Sequence, residues 1–164
     1  MKIIDNFLSL NEFHTIRTLL ISDSFPWYYQ PWVAKADVTK DQPWNWYQTH
    51  LLMKDNRILS PHYEGIADIF LPKFEDLRSL LRIKANFYPH TETLREHLPH
   101  TDYEFEHTAA IFSVNTCDGF TRMKDGTKVD SVENRIVFFD GSQLHNSSTT
   151  TTNPLRCNIN FNYL

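Results

Sequence analysis

The sequence has 164 residues, a formal net charge of −4, 41% hydrophobic and 14% aromatic content. This length suits one domain with a real core, and the acidic balance gives no basic face for a nucleic-acid backbone. No run approaches the roughly 18 apolar residues that a membrane crossing needs, and the start lacks the apolar stretch of a signal peptide, so a cytoplasmic protein is expected (host cytoplasm if phage-encoded). Cys117 and Cys157 form neither a CxxC pair nor a disulfide framework.

Residues 2–8 read as a short strand. Ser9-Leu10-Asn11-Glu12 has the S-x-x-E form of a capping box. Phe13, Ile16, Leu19 and Leu20 follow at helical spacing, which predicts an amphipathic helix over 10–21. Residues 24–47 are rich in aromatics interleaved with Pro26, Pro31 and Pro43. The prolines argue against a helix, so irregular segments and edge strands are expected there, with a strand over 46–53. Ser60-Pro61 looks like an N-cap followed by proline at the first helical position. The second helix is predicted to start there, kink at Pro72 and continue through Phe74, Leu77, Leu80 and Leu81.

From residue 82 the period changes to two. RIKANFY places Ile83, Ala85 and Phe87 on one face and Arg82, Lys84, Asn86 and Tyr88 on the other. Further strands are expected over 107–115, 134–139 and 156–163, separated by turns at Cys117-Asp118-Gly119, Lys124-Asp125-Gly126 and Asp140-Gly141-Ser142. The polar run 147–152 reads as a loop or strand edge. Helices followed by short strands predict a single domain over 1–164 of mainly β, α+β class, an antiparallel sandwich with helices on one outer face.

His100-Thr101-Asp102 is the first chemical signal. Residues i and i+2 of a strand point to one side, so an imidazole and a carboxylate would converge. His145 follows the strand NRIVFF and its turn. Two histidines and one carboxylate can occupy one face of an octahedral iron(II) and leave positions open for small molecules. An H-x-D alone is as readily a solvated turn, and a lone histidine after a strand is more often a loop residue. Arg156 alters that balance. It stands 11 residues after His145 and opens the alternating strand RCNINFNY. Arg156, Asn158, Asn160 and Asn162 share one face of it, and Cys157, Ile159, Phe161 and Tyr163 the other. Four polar residues on one face line solvent or a polar cavity. A buried arginine there needs an anion, and a dicarboxylate bound bidentately meets that need.

Together these residues resemble the 2-oxoglutarate/iron(II) oxygenases, and among them the prolyl-4-hydroxylase-like branch with its small phage and bacterial members. The likeness covers residues 82–163. It rests on H-x-D, a distal histidine after the N-R-I-V-F-F strand, an arginine opening the last strand, and Tyr88-Pro89 upstream; the run Phe25-Pro26-Trp27-Tyr28-Tyr29 adds to it. Two features depart from the family pattern. Cys117-Asp118-Gly119-Phe120-Thr121 replaces a Gly-Gly-Glu-Leu-like turn, and Asn158 stands where serine or threonine is common. The resemblance implies a double-stranded β-helix, a jelly-roll with N-terminal helices packed on the major sheet. It implies an Fe(II)- and 2-oxoglutarate-dependent dioxygenase that uses O2 to hydroxylate an unactivated C–H bond of a peptide or small molecule, with a peptidyl proline as the guess closest to that branch. On this likeness His100, Asp102 and His145 hold the iron, and Arg156 with Tyr88 binds the far carboxylate of the co-substrate. Asn158, two residues past the arginine, and Asn86, on the Tyr88 face, join that binding group.

Other residues read less sharply. His97-x-x-His100 would be a metal pair on a helix, but Pro99 disfavours a helix there. His107 opens a strand and reads as structural or surface, His90 lies nearby, Glu104 and Glu106 read as solvated, and Asn115 as a turn residue. The aromatic segment 25–47 fits a groove for an extended, proline-containing peptide, or more simply the flank of a core. Two other functions remain open from the residues alone: a cupin-like metal enzyme without 2-oxoglutarate, whose ligands are more usually H-x-H with a later glutamate, and a metal-free jelly-roll binding module.

Overall fold

The capping box at Ser9 forms as its sequence requires. In the computed structural model, which describes residues 1–34 and 42–164, Ser9 Oγ accepts from the Glu12 N–H and the Glu12 carboxylate accepts from the Ser9 N–H at 2.9 Å. Helix α1 follows over Leu10–Ile21 and buries Phe13, Ile16 and Leu20. The prolines of the aromatic segment keep it extended: β2 (Tyr28–Gln30) is an edge strand beside β3 (Tyr47–Lys54). Phe25 is buried, whereas Tyr28, Tyr29 and Trp32 are exposed, so only part of the segment flanks the core. Residues 35–41 of it lie outside the described residues.

The second helix starts later than expected. Helix α2 spans Tyr63–Phe70, and Ser60 does not cap it. The Ser60 hydroxyl accepts from the His62 N–H and lies 2.7 Å from His50 Nε2, so it serves the turn before the helix. Pro72 then lies in a single 3-10 turn, Leu71–Lys73. The helical face expected through Leu81 does not form. Asp76 adopts positive φ (57°), which turns the chain, and Leu80 already belongs to strand β5, Leu80–Pro89. The N-terminal strand is likewise shorter than 2–8: β1 is Lys2–Ile4, after which Asn6 takes φ 51°.

The remaining strands are β4 (Arg57–Ile58), β6 (Thr108–Ser113), β7 (Phe120–Met123), β8 (Lys128–Asp130), β9 (Arg135–Asp140), β10 (His145–Ser147) and β11 (Leu155–Tyr163). The large antiparallel sheet runs β1-β9-β6-β11-β5-β3-β2, with β4 beside β3, and the small sheet runs β10-β7-β8. This is a mainly β jelly-roll. Its two helices cover the outer face of the large sheet: Phe13, Ile16, Ile66 and Phe70 share one core with Ile83, Ala85, Phe112, Ile159 and Phe161. Among the described residues no helix is long and apolar enough to cross a membrane.

Asn134 joins the N-terminus to this sheet. It sits at φ 59°, its Oδ1 accepts from the Leu8 N–H, and its Nδ2 donates to the Leu8 carbonyl, both at 2.9 Å. Alanine there loses two buried hydrogen bonds and must still hold a left-handed backbone. We expect Asn134→Ala to lower unfolding stability by about 2–3 kcal/mol. Denaturant midpoints measure this, and a change below about 0.5 kcal/mol would show the tie to be dispensable.

Candidate active site

The register of β5 against β11 builds one wall of a cavity. Arg156 pairs with Tyr88, Asn158 with Asn86, Asn160 with Lys84 and Asn162 with Arg82. Because side chains alternate, these eight polar groups share one face, while Ile83, Ala85, Ile159 and Phe161 enter the core on the other. Ile111 of β6, Thr121 of β7 and Ser147 of β10 help to close the cavity from the other sides.

His100, Asp102 and His145 meet here, their ligand atoms within 4.8 Å of one another. The route is not a regular strand. His100 makes a single antiparallel bridge to His145, with N–H···O distances of 2.9 and 3.0 Å, and the Asp102 N–H donates to the Gly141 carbonyl. Backbone pairing to the chain before β10, rather than strand alternation, brings the two ligands of H-x-D to one point. His145 Nδ1 donates to the Gln143 carbonyl at 3.0 Å, which leaves Nε2 as the free lone pair, 3.9 Å from Asp102 Oδ2. Asp102 is held from three sides: Arg82 Nη2 donates to Oδ1 at 2.5 Å, and Asn162 and Asn160 donate to Oδ2 at 2.8 and 3.1 Å. Burial alone raises the Asp102 pKa, but Arg82 and the other positive groups hold it well below the usual carboxylate range. Burial, helped by His145, lowers His100 to about 4, so its ring is neutral near pH 7. Two imidazoles, which bind metal in their neutral form, and an ionised carboxylate fit a ferrous ion.

Arg156 lies at the far end of the same wall and is 1% exposed. Its Nη2 donates to Thr121 Oγ1 at 2.9 Å and its Nη1 to the Ser148 carbonyl at 3.1 Å, and its guanidinium stands 5.3 Å from the Tyr88 ring centroid. Among the described residues it has no carboxylate partner. Burial lowers the Arg156 pKa and raises that of Tyr88. Gly119 explains part of the departure from the family turn: a Cβ there would lie 2.6 Å from Arg156 Cδ and 2.8 Å from the Thr149 carbonyl. Asn86 Nδ2 donates to Asn158 Oδ1 at 2.8 Å, and both line the cavity. The run 147–152 is a strand edge and the bend after it: Ser147 ends β10, and Thr152 is exposed. Ser148, Thr149 and Thr150 are fully buried, and the Asp118 carboxylate accepts from the Thr150 hydroxyl and the Thr151 N–H at 2.8 Å.

The other histidines serve different ends. His107 is buried, donating to the Phe105 carbonyl and accepting from Asn162, while His90 and the carboxylates Glu104 and Glu106 are exposed. Asn115 reaches across to β11, where its Oδ1 accepts from the Cys157 N–H and its Nδ2 donates to the Leu155 carbonyl. His97 is buried between Tyr88 and Trp44, donates from Nδ1 to the Ser147 carbonyl, and leaves Nε2 without a partner among the described residues. Burial holds the His97 pKa at about 3. The folded state therefore refuses a proton that the unfolded chain accepts below pH ~6.5. Stability is full above that pH and is lost as pH falls towards about 3. At pH ~5 this group is expected to cost about 2 kcal/mol, read from urea midpoints at pH ~7.5 and ~5. His97→Gln should shrink that difference by the same amount, and an unchanged pH slope would count against it.

Lys84 belongs to no motif, and its place on the polar face of RIKANFY is the one signal the sequence holds for it. It lines the cavity beside His100 and Asp102, partly buried, with its Nζ 5.7 Å from the Tyr47 ring centroid. Burial pushes its ammonium down to about 7. Free space in the cavity is about 30 Å³, roughly one water's share. An organic ligand thus enters only as lining side chains turn aside, and Lys84 has the longest unbranched stem among them.

Neither protein-family models nor curated proteins give a match to this chain. Solved structures do. A prolyl hydroxylase from Trichoplax adhaerens, in complex with a hypoxia inducible factor oxygen degradation domain peptide fragment, superposes with a TM-score of 0.65 at 13% identity, over 99% of this chain and 82% of that one. A 2OG-Fe(II) oxygenase family oxidoreductase from Burkholderia pseudomallei gives 0.66 at 12% identity, over 98% and 83%. HygX from Streptomyces hygroscopicus, with nickel and 2-oxoglutarate bound, gives 0.65 at 12%, over 98% and 81%. The chain has the fold of the 2-oxoglutarate/iron(II) oxygenases, prolyl hydroxylases among them. At these identities the likeness is one of architecture.

Proposed function

We propose that this protein is an Fe(II)- and 2-oxoglutarate-dependent dioxygenase that hydroxylates an unactivated C–H bond. One observation carries the reading: a His-Asp-His cluster lines a cavity, and the β5–β11 wall of that cavity continues to a buried arginine that has no acidic partner among the described residues. His100, Asp102 and His145 would hold the metal. Arg156 would take the far carboxylate of 2-oxoglutarate, with Tyr88 and Thr121 beside it. Bound iron and 2-oxoglutarate supply the oxidising power when O2 drives decarboxylation to succinate and CO2. The protein's own part is narrower. Gln143 fixes the His145 tautomer, Arg82, Asn160 and Asn162 hold Asp102 ionised, and the two sheets exclude water. Asn86 and Asn158, bonded to each other, would line the path between metal and arginine. The peptide held by the Trichoplax enzyme supports keeping a peptidyl proline among the substrates to be tried.

Anaerobic addition of Fe(II) and then 2-oxoglutarate tests the reading. The expected result is the weak visible charge-transfer band of a chelated 2-oxo acid. Metal binding without the band would favour a cupin-like enzyme, and no metal binding a binding module.

A further inference from the structure

Lys84 is left over by the chemistry described so far. Arg156 and Tyr88 face each other at one end of the β5–β11 wall, and Lys84 with Asn160 lies two same-face register pairs further along it, in the cavity lining with His100 and Asp102. Tyr88, Asn86, Lys84 and Arg82 follow one another along β5, and Arg82 already belongs to Asp102. Among the described residues, Asp102 is the one acidic group lining the cavity, and its oxygens are taken by Arg82, Asn160 and Asn162. Lys84 has a ring contact with Tyr47 and no hydrogen bond or ion pair among the described residues. Asp102 is the negative charge acting on Lys84, and three other donors already hold its oxygens, so the partly buried ammonium still has room for an anion from outside the protein.

Its register partner supplies the opposite kind of group. Asn160 Nδ2 donates to Asp102, which fixes the orientation of the amide, and its Oδ1 is buried without a donor among the described residues. A cationic donor on β5 and a vacant acceptor on β11 thus stand side by side next to the metal. An unfulfilled acceptor wants an N–H, and an unfulfilled ammonium wants a carboxylate.

We infer that the primary substrate is a free α-amino acid, its carboxylate bound by Lys84 and its amino group by Asn160 Oδ1. This rests on the oxygenase reading and narrows it. A residue inside a peptide chain has neither group free, so peptides become an outcome of the test.

The 164-residue protein loaded with Ni(II) serves for binding, as wild type, Lys84→Met and Lys84→Arg. Calorimetry gives the 2-oxoglutarate affinity of each. Thermal shifts are then read with 2-oxoglutarate present against the twenty proteinogenic amino acids, their carboxamides and a proline-containing peptide. If 2-oxoglutarate does not bind the wild type, the oxygenase reading fails by that measurement, and the panel is read on the metal-loaded protein alone. The expected result is that 2-oxoglutarate affinity stays within about twofold across the three proteins. At least one free acid stabilises the wild type while its carboxamide does not, and that shift vanishes in Lys84→Met and partly returns in Lys84→Arg. The inference is overturned if no free acid binds, if carboxamides or the peptide bind as well as acids, or if Lys84→Met weakens 2-oxoglutarate tenfold, which would place the lysine on the co-substrate.

Discussion

Alanine at His145 is expected to abolish iron-dependent 2-oxoglutarate turnover, with succinate release falling on the order of 100-fold or more. The size follows from geometry. His145 is buried, its Nδ1 is committed to Gln143, and its Nε2 faces Asp102. Of the other buried histidines among the described residues, His107 has both ring nitrogens engaged, by Phe105 and Asn162, and His97 is held between Tyr88 and Trp44 with Nδ1 on Ser147. Loss of an outer partner of a metal ligand typically costs 10–100-fold, so loss of the ligand itself should cost at least as much. His100→Ala should behave the same way. His90→Ala is the control: the ring is exposed and, among the described residues, bonded only to the Asn153 carbonyl, so its turnover should match wild type. Near-normal succinate release from His145→Ala, in a chain that still folds by circular dichroism, would refute the ligand assignment.

The parts of this site legible in the sequence are those that depend on local periodicity. Alternation along RIKANFY and RCNINFNY placed Arg156, Asn158, Asn86 and Tyr88 on one face, because strand geometry forces it. The helix over 10–21 was legible because Ser9 and Glu12 carry the cap within four residues. What could not be read depends on partners distant in sequence. Ser60 resembles a cap from its neighbours alone, but His50, ten residues earlier, claims its hydroxyl. The burial of Ser148–Thr150 follows from Asp118 and β7, some thirty residues away. H-x-D converges for a reason that local geometry does not contain, since His100 and Asp102 take their positions from His145 and Gly141. Leu80 and Leu81 suit a helical face as well as a strand, and pairing with β11 selected the strand.

Arg156 poses the sharper question, because a buried arginine can be either a strut or a ligand clamp. Its bonds to Thr121 and to the Ser148 carbonyl suit a strut, yet neither partner carries charge. Removing one partner of a buried ion pair typically costs 3–5 kcal/mol of stability. Here no such partner exists among the described residues, and burial already disfavours the charged form. Arg156→Met keeps most of the stem volume, so the ligand-free protein should lose no more than about 1 kcal/mol. The ligand-bound state should change far more. A clamp that meets a carboxylate in a dry site contributes about 2–5 kcal/mol to its binding, which predicts a rise in the 2-oxoglutarate Kd on the order of 100-fold with metal affinity unchanged. The stabilisation of about 2.7 kcal/mol that wild type gains at 100 times its Kd should disappear at the same concentration. Lysine at this position should recover only part, since a point charge cannot form the two parallel bonds of a guanidinium. Unchanged 2-oxoglutarate saturation together with a large loss of ligand-free stability would make Arg156 a strut and leave the cavity without its anchor.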